Sequence, residues 1–203
     1  NNPVGNTLDK DTFKKLLHDN PKTLFISDEA YYEFSKNPST DLLAEHSNLL
    51  IIRTFSKTMG AAGVRLGYLL GAPEYIAEIR KMMLPFLINQ FSYIAAKEVL
   101  SDKKTLDGFL GTVEMIIDER AKLFDNLHSI GQKKDFKPKK SGANFLLIKW
   151  NSQEDCDNSY VKLIEKGILT RNVSKGPGLA NCLRLTVGTP EQNMTVLEAF
   201  KSL

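Results

Sequence analysis

The sequence is poor in the residues that make staples, metal cages and membrane anchors. Only two cysteines, Cys156 and Cys182, occur in 203 residues, too few for a disulfide framework. A zinc site needs about four ligands, and His18, His46 and His128 do not cluster with the cysteines along the chain, so no metal is expected. Two reduced thiols suit a cytoplasmic protein. No apolar run approaches the ~18–20 residues of a membrane span; stretches such as Leu49-Leu50-Ile51-Ile52 are strand-sized. Charge of one sign is scarce too. The 27 Lys+Arg against 24 Asp+Glu leave a net +3, no footprint for nucleic acid, although a local basic pocket for a small anion is compatible with it. There is no initiator methionine, basic leader or signal-like apolar stretch. The chain opens on the turn sequence Asn1-Asn2-Pro3-Val4-Gly5 and is expected to be the C-terminal piece of a longer protein.

What is present is the composition of a folded globular chain, 42% hydrophobic and 25% charged. Leu8, Phe13, Leu16 and Leu17 recur near helical spacing, and Asn20-Pro21 stops the helix. Apolar runs at residues 23–27, 48–53 and 66–70 read as strands, and Pro73 starts a helix to about Met83. Continuous apolar strands joined by helical or loop crossovers suggest a sheet covered on both faces. Helices at residues 91–100 and 106–127 follow. Then come a strand at 143–150, a helix at 159–166, strands at 168–172 and 183–187, and a last helix from Pro190. The reading is an α/β architecture. Residues 1–104 form part of a large domain with a mostly parallel sheet, residues 105–129 a connecting helix, and residues 130–203 a smaller α+β domain.

Two polar clusters fall just beyond the carboxyl ends of predicted strands, the edge where open α/β sheets bind ligands. One is Asp28-Glu29-Ala30-Tyr31. The other is Thr54-Phe55-Ser56-Lys57, followed by Arg65. One cofactor, pyridoxal 5'-phosphate, would use both together with Asn2. Its chemistry needs a lysine for its aldehyde and a charged partner at its ring nitrogen. Lys57 suits the first role and can serve as the base that moves a proton; Asp28 suits the second. Tyr31 and Asn2 suit the phenolic oxygen. Arg65, with the hydroxyls of Thr54 and Ser56, suits the phosphate, where a charged fork outweighs neutral donors. Singly, each has a plainer explanation: a solvated lysine, a helix-capping aspartate, a half-buried tyrosine, a turn. The set and its placement carry the reading.

These blocks resemble the signature sequences of the fold-type I aminotransferases. The matching stretches are Asn-Asn-Pro-Val-Gly at the start, Asp-Glu-Ala-Tyr-Tyr-Glu-Phe from Asp28, Arg-Thr-Phe-Ser-Lys-Thr from Arg53 and Gly-Val-Arg-Leu-Gly-Tyr from Gly63. The late block from Cys182 to Asn193 resembles that family's substrate-carboxylate site. Tyr31-Tyr32-Glu33-Phe34, the run ending at Lys57, and Gly167 to Arg171 ahead of Arg184 are most similar to the histidinol-phosphate aminotransferases.

The resemblance implies Lys57, Asp28 and Tyr31 as the residues at the cofactor's reactive end, ring nitrogen and phenolic oxygen. Asn2 joins Tyr31, and Ser56, Arg65 and Thr54 hold the phosphate. It also implies what the residues alone do not. Arg184 would hold the substrate's acidic group and Arg171 would help with a phosphate-bearing substrate. The implied activity is transamination between histidinol phosphate and 2-oxoglutarate, in histidine biosynthesis. The implied assembly is a homodimer, with the 84–91 stretch a candidate interface segment. The alternatives are an aromatic-type aminotransferase, a threonine-phosphate decarboxylase, or a truncated fragment without activity. The family's usual N-terminal part precedes the equivalent of Asn1, and the piece alone is expected to hold cofactor weakly and turn over poorly.

Overall fold

A computed structural model describes all 203 residues. The chain divides into two compact units, Leu8–Val113 and a second made of Asn1–Thr7 with Glu114–Leu203. The opening turn thus groups with the C-terminal residues rather than with the large domain to which the sequence reading gave it.

In the first unit, α1 (Lys10–Asp19) begins where Asp9 accepts a hydrogen bond from the Thr12 N–H (2.9 Å). It buries Phe13 and Leu17, one helical turn apart on one face. Strands β1 (Phe25–Asp28) and β2 (Leu49–Thr54) run parallel. β3 (Gly67–Gly71) pairs antiparallel with β2, so the sheet is mixed where mostly parallel strands were expected. Leu49 and Ile51 of β2 pack on Phe13, Leu17 and Leu42. On the opposite face Leu50 is buried, while Ile26 and Ile52 stay 59% and 44% exposed, so within this unit that face is covered only in part. Gly67 is needed at the β2–β3 pairing, because a Cβ there would sit 2.6 Å from the Arg53 carbonyl oxygen. A short α2 (Tyr32–Ser35) follows β1. Beyond β3 come α3 (Pro73–Met82) and α4 (Gln90–Ser101). The segment between them carries exposed Leu84, Phe86 and Leu87.

The helix α5 (Lys103–Gly131) has 29 residues and extends beyond the expected 106–127 at both ends. The second unit has a four-stranded antiparallel sheet, in the order β4 (Phe136–Lys139), β5 (Phe145–Trp150), β7 (Cys182–Thr186), β6 (Arg171–Asn172). Between β5 and β6 lies α6 (Gln153–Glu165), and α7 (Pro190–Lys201) closes the chain. Phe136, Trp150 and Phe200 meet ring to ring, with centroids 5.3–6.3 Å apart. They form the centre of a core with Leu146, Ile148, Leu163 and Leu183. β4 is absent from the sequence reading, and α6 starts six residues earlier than expected. Gly5, at φ +82°, leaves room for Ser141, whose Oγ would clash with a Cβ at that position. Its carbonyl accepts from the Gly142 N–H at 2.7 Å, which seats the opening turn on that loop.

Candidate active site

Parallel pairing sets Asp28 beside Ile52, so the segments that leave β1 and β2 emerge side by side at one edge. Asp28 is exposed, and its Oδ1 accepts from the Ala30 N–H (3.0 Å), which tightens the turn that presents Tyr31. The Lys57 ammonium lies 5.6 Å from the centre of the half-buried Tyr31 ring, within cation–π range. Two clusters remote in sequence therefore meet. Lys57 itself is exposed and forms no ion pair. Thr54 Oγ1 accepts from the Ser56 N–H (3.1 Å) and lies 3.0 Å from Ser56 Oγ, so the two hydroxyls stand together at the foot of the Lys57 turn. Arg65 adopts the left-handed backbone region (φ 54°), and its Nη1 donates to the Ala62 carbonyl at 3.1 Å. Its exposed guanidinium keeps further donors for an anion.

Directly behind this edge lies a group the sequence reading passed over. Successive strand residues face opposite sides, so Glu29 and Arg53 turn away from Asp28 and Thr54 into the interior. Glu29 Oε2 accepts from Arg53 Nε (2.9 Å) and Nη2 (2.7 Å), and both side chains are under 10% exposed. Glu29 Oε1 accepts from the Ser39 N–H at 2.6 Å. The Tyr32 ring covers the guanidinium, 3.6 Å from its carbon. Burial works against the Arg53 charge, but the Glu29 carboxylate and Tyr68 outweigh it and the net shift is upward. Burial also pushes the Tyr32 phenol and the Glu33 carboxyl up from their ordinary values. The available signal was a glutamate and an arginine, each one residue from a site residue and on the inward parity.

The remaining expected residues belong to the second unit. Arg171 and Arg184 are directly opposed across β6 and β7, a like-charge pair that an isolated sheet disfavours and that a shared anion would relieve. Arg184 Nη1 donates to Asn2 Oδ1 at 2.8 Å, and its guanidinium lies 5.1 Å from the Phe145 ring centre. Gly5 N–H donates to the Asn1 carbonyl (2.7 Å), and Arg120 Nη1 donates to the Ala143 carbonyl (2.7 Å) in the loop that receives the turn.

A family model for "Aminotransferase class I and II" matches residues 1–200. The chain belongs to that family. This chain is 43% identical over 199 residues to histidinol-phosphate aminotransferase 1 of Carboxydothermus hydrogenoformans, with 98% of this chain and 53% of the relative covered. It is 36% identical to histidinol-phosphate aminotransferase of Ruminiclostridium cellulolyticum, over all of this chain and 54% of that one. The crystal structure of the histidinol-phosphate aminotransferase from Clostridium acetobutylicum superposes with a TM-score of 0.85 at 30% identity, covering 100% of this chain and 61% of that one. The chain thus spans about half the length of the curated relatives it matches. Both cysteines are free and buried, no cluster of ligands could hold a metal ion, and no helix is long and apolar enough to cross a membrane.

Proposed function

We propose that this chain carries the lysine-bearing half of a pyridoxal-phosphate site, and that the whole protein moves the amino group of histidinol phosphate to 2-oxoglutarate. The observation that carries the reading is the convergence of Asp28, Tyr31 and Lys57 at the carboxyl edge of two parallel strands. The residues fit the cofactor. An amine without an ion-pair partner, an exposed carboxylate, a phenol, two adjacent hydroxyls and an arginine match its aldehyde, ring nitrogen, phenolic oxygen and phosphate. When bound, the cofactor supplies a carbonyl for the substrate amine and a ring that accepts the electron pair left at the α-carbon.

The chain's own residues do the rest. Asp28 holds a proton on the ring nitrogen. Lys57 Nζ takes a proton from the amine-bearing carbon and returns it at the other end of the exchange. Tyr31 donates to the phenolic oxygen, an oxygen that the resemblance assigns to Asn2 as well. Thr54, Ser56 and Arg65 anchor the phosphate. Arg171 and Arg184 take the substrates' anionic groups, because one fork geometry serves a phosphate and a carboxylate alike. The similarity to histidinol-phosphate aminotransferases favours histidinol phosphate among amines. A homodimer is the assembly that the resemblance and general frequency favour; exposed Leu84, Phe86 and Phe91 supply apolar surface for it.

Borohydride reduction in the presence of pyridoxal phosphate, followed by peptide mass mapping, tests the site. Label should concentrate on Lys57 and vanish from that peptide in Lys57→Ala. Equal labelling of surface lysines sinks the proposal. In the full-length protein, histidinol phosphate should discharge the cofactor's near-visible band faster than phenylalanine or threonine phosphate. A preference for either of those would replace the substrate.

A further inference from the structure

We infer that the buried Glu29–Arg53 pair, covered by Tyr32, is a positioning device that holds the Asp28–Tyr31 segment at its working distance from the Lys57 turn. The inference rests on the reading that those two segments hold the cofactor. Glu29 follows Asp28, the last residue of β1, and Arg53 precedes Thr54, the last residue of β2, so the pair ties together the ends of the two strands from which the site emerges. Beyond the β1–β2 ladder, the Glu29 N–H still donates to the Ile52 carbonyl (2.9 Å). From there backbone pairing ends and side chains alone hold the segments together. One Glu29 oxygen takes two guanidinium donors, and the other takes the Ser39 N–H. The same carboxylate therefore also fixes the loop beyond α2. Tyr32 stacks on the guanidinium while the adjacent Tyr31 faces Lys57. Movement of Arg53 would be passed through Tyr32 to Tyr31.

Desolvation of two charges offsets most of their attraction, so a buried ion pair adds little net stability compared with apolar packing. What it does supply is direction, since a guanidinium fork accepts a carboxylate in few orientations. A site that must hold one small ring between a carboxylate on β1 and an amine beyond β2 needs that direction, because a misplacement of about 1 Å is costly.

The test uses Glu29→Gln in the full chain, which retains an oxygen for the Ser39 N–H while removing the charge. Circular dichroism and thermal melting establish that the variant is folded. Borohydride trapping with pyridoxal phosphate should then give wild-type label on Lys57 and a share reduced on the order of tenfold in the variant, with a displaced absorption maximum of the bound cofactor. Arg53→Lys retains the charge but loses the fork and the stack, and should show the same two changes; it replaces Glu29→Gln should that variant fail to fold. An unchanged label share and band in a folded variant with a lowered melting temperature would make the pair structural only, and overturn the inference while leaving the site reading intact. Absence of preferential Lys57 labelling in the wild type would overturn both.

Discussion

Glu119 lies in α5 with its side chain largely covered. It accepts from Asn193 Nδ2 (3.0 Å) and from Lys122 Nζ (2.9 Å). Asn193 chiefly, and Lys122 after it, hold this carboxyl below the ordinary glutamate range. A depressed folded-state value means stability that is present above the ordinary pKa and lost as pH falls through the folded one. Glu119→Gln should therefore melt lower than wild type near neutrality, and the two curves should converge as pH drops below about 4. Parallel curves across that range would show that the charge contributes nothing. Asp28, Tyr31 and Lys57 were legible as candidates because each stands at the end of an apolar run, in a residue type with distinct chemistry. Glu29 and Arg53 were equally visible as letters, but charged residues beside a strand end read as solvated. Only pairing between strands far apart in sequence turned them inward toward each other. Asn2 and Arg184, at opposite ends of the chain, owe their contact to the same kind of closure.

Elements with their own punctuation were read closely. The capping box of α7 is local: Thr189 Oγ1 accepts from the Gln192 N–H (3.3 Å), and Gln192 Oε1 accepts from the Thr189 N–H (3.0 Å), with Pro190 in the first turn. Thr189→Ala should lower stability by about 1 kcal/mol, measurable as a shifted urea midpoint with an unchanged slope. No shift would mean that packing of Val196, Ala199 and Phe200 alone holds the helix. α6 begins early because Ser152 caps it through the Asp155 N–H. The polar run Gln153-Glu154-Asp155 hid that start, since no apolar period accompanies it. β4 was missed for a related reason. Phe136-Lys137-Pro138-Lys139 alternates buried and exposed, but two lysines and a proline in four residues read as loop. Its partner β5 decides the matter, placing Phe136 opposite Trp150. β3 was found as a strand, but nothing in its residues specified that it runs antiparallel to β2.

The two compact units carry separate cores. Phe200 is fully buried between Phe136 and Trp150, and Phe200→Ala should remove about 3–5 kcal/mol. Hydrogen exchange should speed in residues 114–203 while the slowest amides of β2 keep their protection. Uniform acceleration along the chain would show that the units unfold as one. By itself the sequence determined the family, the order of most of the strands and helices and the chemistry available at the strand ends. These depend on residue type and on neighbours a few positions away, which a linear reading samples directly. The tertiary structure alone decided strand direction and register, the grouping of the opening turn with the C-terminal residues, and the facing of Lys57 toward Tyr31 and of Glu29 toward Arg53. Each of those is a meeting of residues separated by many others, fixed by how apolar faces close on one another rather than by any local preference.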